Sequence, residues 1–227
     1  MKITHLLTTT AALVAAMFLN SCSNVSTGRP SVAAYQAYDR PATLPSNPAA
    51  VRVKVSLRHQ MVYVMEGSRP LLIAPCTVGT AAHPTPQGHF RIFNKTQFKR
   101  ANSHGYATNG KQVVQTTLAK KPRGWSFKGT PMPYWCEFKP NYGIHTGWVK
   151  PFPSSHGCIR MHENLSPKFF RLVRQGTPVN IAATQPEDAT IGRGIVRPPN
   201  AHPLPDYPAS MYLGQGYFSR HKTPSYQ

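Results

Sequence analysis

Two kinds of side chain that support covalent chemistry lie close together between positions 142 and 161. Cys158 directly follows His156 and Gly157, and a second histidine, His145, precedes the cysteine by thirteen residues. A cysteine attacks carbonyl carbon as its thiolate, and a nearby imidazole that accepts the proton can lower the thiol pKa from about 8.5 to about 3.5–7.5. This pattern predicts acyl transfer through a thioester on Cys158, with one of the two histidines as the base.

Gly157 suits the same chemistry. Because it has no Cβ, it lets the backbone turn tightly and leaves the amides near Cys158 open to a developing oxyanion. Residue types alone also allow a structural interpretation, in which Cys158 is a small core residue and the histidines make only local hydrogen bonds. The arrangement of the surrounding residues favours the chemical interpretation.

Two short motifs follow one another here: G-I-H-T-G at 143–147 and S-S-H-G-C-I-R-M at 154–161. Together they resemble the signature of the L,D-transpeptidase catalytic domain, the YkuD family, whose members act on bacterial cell-wall peptides. The upstream order of a hairpin, V-G-T at 78–80 and T-P-Q-G at 85–88 is similar to the opening half of that domain. The resemblance covers about residues 51–183 and implies a mainly β fold, a mixed, sandwich-like sheet with one short helix after the Cys loop.

The resemblance also implies a reaction. Cys158 would attack the carbonyl of the L-configured centre at the third residue of a peptidoglycan stem peptide, expel the terminal D-residue and hold the stem as a thioester. An amine on a neighbouring stem would resolve the thioester into a 3-3 cross-link. His145 would be the base, with the backbone of Thr146 orienting its ring, and His156 and Gly157 would line the oxyanion side. The residues that would contact substrate are Tyr134, Thr146, Trp148, Ser155 and Arg160.

The same sequence is compatible with three alternatives to the cross-linking reaction. Water could resolve the thioester, which would make the protein an L,D-carboxypeptidase or another hydrolase. An amine acceptor protein, such as an envelope lipoprotein with a terminal lysine, could take the place of the second stem. The domain could also be a wall-binding module without catalysis.

Other envelope chemistries have less support. Carboxylates are scarce for a glycosidase, which needs two acids. No C-x-x-C or H-E-x-x-H spacing occurs, so neither a metal nor another cofactor is expected.

The amino terminus predicts export. Residues 1–21 combine Lys2 with a short apolar run, and the chain continues with Cys22. This resembles a lipoprotein signal, with cleavage before Cys22 and acylation of its thiol, which would anchor the protein to a membrane facing the periplasm or cell wall. An ordinary cleaved signal with Cys22 incidental is the alternative.

The chain is strongly basic, with 26 Lys and Arg against 7 Asp and Glu and a net charge of +19. In an exported protein this balance favours anionic envelope material rather than nucleic acid as the partner. A merely solvated surface explains the charge equally well.

Hydrophobic patterning divides the chain into a tether at 22–50, a catalytic domain at 51–184 and a Pro- and Tyr-rich basic tail at 185–227 that we expect to be extended or loosely held. The segment 94–130 is interpreted as a long connection with at most one strand, at 113–118, and a helix is predicted from Ser166 to Gly176. The predicted strands are 51–57, 61–65, 71–78, 90–93 and 178–181.

Cys76 and Cys136 both fall on predicted strands. In an exported protein they could form a disulfide, but nothing in the sequence brings their Cα atoms within the required range of about 4.4–6.8 Å. The sequence leaves that pairing open.

Overall fold

A computed structural model describes residues 31–200 and 207–219. The predicted signal peptide at 1–21 and the predicted lipidation site at Cys22 lie outside the described residues. Within the described ranges, no helix is long and apolar enough to cross a membrane.

The predicted mainly β fold with a mixed sheet is confirmed. Ten strands form one sheet in the order β4-β10-β1-β2-β3-β9-β8-β7-β5-β6. The pairs β1/β10 and β8/β9 are parallel, and the other neighbours are antiparallel. The strands are β1 Val51–Ser56, β2 Met61–Glu66, β3 Arg69–Thr77, β4 Gly88–Arg91, β5 Asn94–Thr108, β6 Val113–Thr117, β7 Ser126–Lys139, β8 Tyr142–Thr146, β9 Ile159–Met161 and β10 Pro178–Ala182.

Helical segments are short. The helix expected after the Cys loop is present, with Pro167 in its first turn and Phe169 and Leu172 buried against the sheet. The α-helices are α1 Val32–Ala37, α2 Ser166–Leu172, α3 Ala209–Leu213 and α4 Gly216–Ser219, and 3-10 turns cover Pro48–Ala50, Leu118–Lys120 and Pro186–Ala189.

The structure differs from the sequence interpretation over 94–130, where a long connection was expected. β5 and β7 are strands of 15 and 14 residues that pair with each other, and β6 lies outside β5 at the sheet edge. The sequence of β5 is polar and its side chains are mostly half-buried, without apolar alternation. Main-chain pairing therefore holds this part of the sheet, and the period-two signal that marks a strand is missing.

The expected flexible tether also differs, because residues 31–50 pack on the domain. Tyr35 of α1 is fully buried, and its hydroxyl accepts a hydrogen bond from the amide of Val149 at 2.8 Å. Lys168 forms an ion pair with Asp39 at 2.8 Å. The buried ring of Tyr35 and polar contacts from His162, Asn164 and Lys168 fix this segment on the domain.

The tail was expected to be extended or loosely held, but its described part is packed. Arg197 donates hydrogen bonds to the carbonyls of Cys76 and Lys150 at 2.9 and 3.2 Å. Tyr212, Tyr217 and Phe218 are each at most 5% exposed. The spacing of these aromatic residues over two one-turn helices gives no periodic pattern from which their packing could be read.

Cys76 and Cys136 are both buried free thiols. They lie on β3 and β7, with β9 and β8 between them. Three strand spacings of about 4.8 Å place the two residues well beyond disulfide range. The structure thus rules out the disulfide that the sequence left open.

His162 provides a test of this packing. Its Nε2–H donates to the carbonyl of Tyr35 at 2.7 Å, its Nδ1 accepts from the amide of Asn164, and burial lowers its pKa from 6.5 to about 4. Because the unfolded chain binds the proton below pH 6.5 and the folded one resists it, this stability is complete above pH 6.5 and is lost as the pH falls towards 4. The linked free energy is about 3 kcal/mol.

We therefore expect His162→Gln to be less stable than wild type at pH 7.5 but to lose about 3 kcal/mol less on acidification to pH 4. Urea unfolding at both pH values measures this difference. The exposed residue His89 gives the control variant His89→Gln, which should follow wild type. An acid loss in His162→Gln equal to that of wild type would contradict the buried neutral state.

Candidate active site

The parallel pair β8/β9 positions the candidate residues. Ile144 pairs with Ile159 and His145 pairs with Arg160. Both isoleucines are fully buried, so apolar packing fixes the register of the two strands. Cys158 immediately precedes β9, and the pairing brings it to the strand that carries His145.

The loop that ends at Cys158 is fixed by Ser155. The Ser155 hydroxyl donates to the carbonyl of Cys158 at 2.5 Å and accepts from the amide of Gly157 at 3.0 Å. The carbonyl of Gly157 accepts from Thr85 Oγ1 at 2.8 Å, and the carbonyl of Ser155 accepts from the amide of Thr80 at 3.1 Å. The upstream V-G-T and T-P-Q-G segments therefore support the cysteine loop.

Gly157 has a φ of +106°, which L-residues with a side chain rarely adopt. A Cβ at this position would lie 2.6 Å from Cε1 of Tyr142. The predicted tight turn is thus present. The Gly157 amide binds Ser155, however, so its own N–H is not open to an oxyanion as the sequence suggested.

The His145 imidazole is held in its neutral form. Its Nδ1 lies 2.7 Å from the carbonyl oxygen of Thr146, and since a carbonyl only accepts, Nδ1 carries the proton. Nε2 is then the nitrogen with a free lone pair. Burial, which outweighs the Thr146 hydrogen bond, lowers the pKa of His145 to about 4.

The Cys158 thiol is half-buried and its Sγ lies 3.7 Å from the carbonyl of Asn141. Burial raises its pKa above the ordinary 9.0, and this effect exceeds the opposing hydrogen bond from the amide of Gly143 and the charges of Arg160 and Lys99. The resting pair is therefore thiol and neutral imidazole. The sequence had suggested a lowered thiol pKa, but burial acts against both charged forms.

One cavity of about 670 Å³ contains both groups. Seven of the nine residues predicted to form the site line it: His145, Thr146, Trp148, Ser155, His156, Cys158 and Arg160. The hydroxyl oxygen of Thr146 is itself buried and has no hydrogen-bond partner among the described residues.

Tyr134 and Gly157 do not line the cavity. Tyr134 has a φ of +59° and packs its ring against Phe170 of α2, with centroids 5.5 Å apart. This left-handed residue interrupts the alternation of β7, so that Met132 and Trp135, three positions apart, both face the cavity. Tyr134 is thus absent from the cavity wall, although the resemblance had implied that it contacts substrate.

His156 lies at the cavity with its ring between those of His83 and His104, whose centroids are 4.6 and 4.8 Å away. Burial, then the charges of these two histidines and of Arg160, lowers the pKa of His156. Among residues 31–200 and 207–219, no group of three or more His, Cys, Asp or Glu is arranged to hold a metal ion.

Sequence reasoning missed part of the wall. Tyr212 and Tyr217 of the tail line the cavity, and Tyr212 stacks on Tyr106 of β5 with centroids 4.9 Å apart. Arg100 holds this segment by donating to the carbonyls of Tyr212 and Gly214 at 2.7 and 2.5 Å. No local sequence motif predicts these contacts, because they join residues more than 100 positions apart.

The family model for the L,D-transpeptidase catalytic domain, YkuD, matches residues 50–181. A search of curated proteins finds no match.

Three similar solved structures are L,D-transpeptidases. The protein from Stackebrandtia nassauensis is 23% identical with a TM-score of 0.44, and the alignment covers 68% of this chain and 66% of that one. The protein from Mycobacterium smegmatis is 16% identical with a TM-score of 0.46, and the alignment covers 59% of each chain. A mutant of the Enterococcus faecium protein is 22% identical with a TM-score of 0.43, and the alignment covers 59% of this chain and 50% of that one. The chain thus spans between half and two thirds of the length of these structures.

The neutral state of Cys158 and His145 leads to a prediction for the pH dependence of alkylation at Cys158. Because the pKa of Cys158 lies above 9.0, the thiolate fraction, and hence the rate of alkylation by iodoacetamide, should rise about tenfold per pH unit from pH 6 to 9 without a plateau. Peptide mass mapping separates Cys158 from the buried Cys76 and Cys136. A rate that levels off between pH 6 and 7 would instead reveal a preformed thiolate and imidazolium.

Proposed function

Since the chain belongs to the L,D-transpeptidase catalytic domain family, YkuD, we propose that it is a peptidoglycan L,D-transpeptidase with Cys158 as nucleophile and His145 as base. The observation that carries the proposal is the pairing of β8 with β9. It brings a half-buried thiol and an imidazole with a free Nε2 to one cavity.

The first half of the reaction forms the acyl-enzyme. Nε2 of His145 takes the thiol proton as Sγ of Cys158 attacks the carbonyl of the third stem residue. The amide of Gly143, which hydrogen-bonds the thiolate form, stabilises sulfur while it carries charge. The tetrahedral intermediate collapses to a thioester, and the imidazolium returns its proton to the amine of the departing D-residue.

The second half transfers the stem. An amine on a neighbouring stem attacks the thioester, Nε2 of His145 accepts the amine proton, and the proton passes to Sγ as the 3-3 cross-linked product leaves. Neutral resting groups suit both halves, since the base starts each half with its lone pair free. Arg160, Trp148 and Thr146, which line the cavity, are the residues that we assign to substrate binding, while Ser155 holds the loop.

For the whole protein we propose export and attachment to a membrane through a lipid on Cys22, with peptidoglycan stems and an amine acceptor, which could belong to a protein, as partners. The net charge of +19 is compatible with work among anionic envelope polymers.

The test uses the full chain in detergent with a disaccharide-tetrapeptide. Wild type should release the terminal D-residue and produce 3-3 cross-linked dimers, identified by fragmentation mass spectrometry. Cys158→Ala should produce neither, and His145→Gln should be slowed by about 100- to 10,000-fold because general-base catalysis is lost. Cys76→Ala and His89→Gln, which replace the same residue types outside the cavity, should behave as wild type.

Other products would select the alternatives. Tripeptide without dimers would indicate hydrolysis at the same cysteine. Unchanged product formation by Cys158→Ala would contradict the proposal, and wild-type binding to sacculi with no product at all would favour a wall-binding module.

A further inference from the structure

Two cations on different strands line the cavity. Arg160 lies on β9, two residues after Cys158, and Lys99 lies on β5, with β8 and β7 between the two strands. Both side chains line the cavity. With neighbouring strands about 4.8 Å apart, the two cations start from backbone positions about 14 Å apart, and the strand that carries His145 lies between them.

Lys99 differs from Lys95 and Arg100, the other two cations of β5, in the hydrogen bonding of its charged group. Lys95 donates to the carbonyls of Phe170 and Val173 at 2.7 and 2.6 Å, at the carboxyl end of α2. Arg100 is committed to carbonyls of the tail and of Gly129. Within residues 31–200 and 207–219, the Lys99 ammonium has neither a hydrogen-bond acceptor nor an ion-pair partner.

The position of Lys99 is nevertheless defined. The side chain is half-buried, and Nζ lies 5.7 Å from the ring of Trp135, which also lines the cavity. Arg160 and, more weakly, Lys99 favour the thiolate of Cys158, whereas Glu137 opposes it. Both cations line the cavity that also contains Cys158.

The described residues that line the cavity include neither Asp nor Glu. Glu137, outside the lining, attracts Lys99 electrostatically, but its carboxylate accepts hydrogen bonds from Asn94, Trp135 and the amide of Asn141 at 3.0, 3.2 and 2.9 Å. Because no carboxylate among the described residues is hydrogen-bonded to the Lys99 ammonium, a ligand that supplies one would add a charge-assisted hydrogen bond.

We propose that Lys99 is a specificity-determining residue that binds a carboxylate of the stem peptide on the β5 side of the cavity, across β8 and β7 from the strand of Cys158 and Arg160. The inference rests on the proposed function, because it names the chemical class that the same cavity selects: stems with free carboxylates rather than carboxamides. Lys99 binds substrate and takes no part in proton transfer, so its loss acts on KM and leaves kcat within about threefold.

The test compares three synthetic tetrapeptide stems: one with all carboxyls free, one with a terminal carboxamide, and one with internal carboxamides. The full chain in detergent is assayed for release of the terminal residue. Wild type should prefer the free acid over one of the amidated stems by at least tenfold in kcat/KM. In Lys99→Met that preference should fall to less than threefold through a higher KM for the acid, and Lys99→Arg should restore most of it.

Lys128→Met removes the same charge from an exposed position on β7 and should keep the wild-type preference. If Lys99→Met also keeps it, or if wild type turns over the three stems equally, the inference is overturned while the proposed function stands. If wild type turns over none of them, the proposed function fails and the inference fails with it.

Discussion

The parallel register of β8 and β9 is the constraint on which the site depends. Ile144 and Ile159 are fully buried opposite each other, and a slip of one strand by one residue would turn its isoleucine out of the core. With that register fixed, Cys158, before Ile159, and His145, after Ile144, both lie on the other face of the sheet from the isoleucines. Packing thus brings two residues thirteen positions apart to one cavity.

Burial then determines the protonation of the pair. Burial lowers the pKa of His145 and raises the pKa of Cys158, so the imidazole stays neutral and the thiol keeps its proton. In the proposed reaction, charge develops on sulfur when a substrate carbonyl is attacked, and the Gly143 amide, Arg160 and Lys99 would stabilise it. A neutral pair in a cavity that also holds two cations suits the proposed substrate, which carries negative charge.

The sequence was informative wherever chemistry depended on local spacing. The two motifs pointed to Cys158, His145 and one part of the cavity wall, and the alternation of Val51, Val53 and Val55 identified the first strand. Sequence-based prediction failed where a side chain's position depended on a contact distant in sequence or on an unusual backbone conformation. Tyr134 turns away because its backbone is left-handed, and Tyr212 reaches the cavity through an arginine 112 positions upstream. Neither cause leaves a periodic signal in the residues themselves.

The proposed mechanism requires a covalent bond between Cys158 and the stem peptide. Rapid acid quenching of wild type with tetrapeptide stem, followed by intact-mass measurement and peptide mapping, detects it. We expect a mass gain equal to the stem minus its terminal residue and water, located on the peptide that contains Cys158. A mass gain on another residue, or turnover at full rate with no adduct at any quench time, would contradict the proposed role of Cys158 as nucleophile.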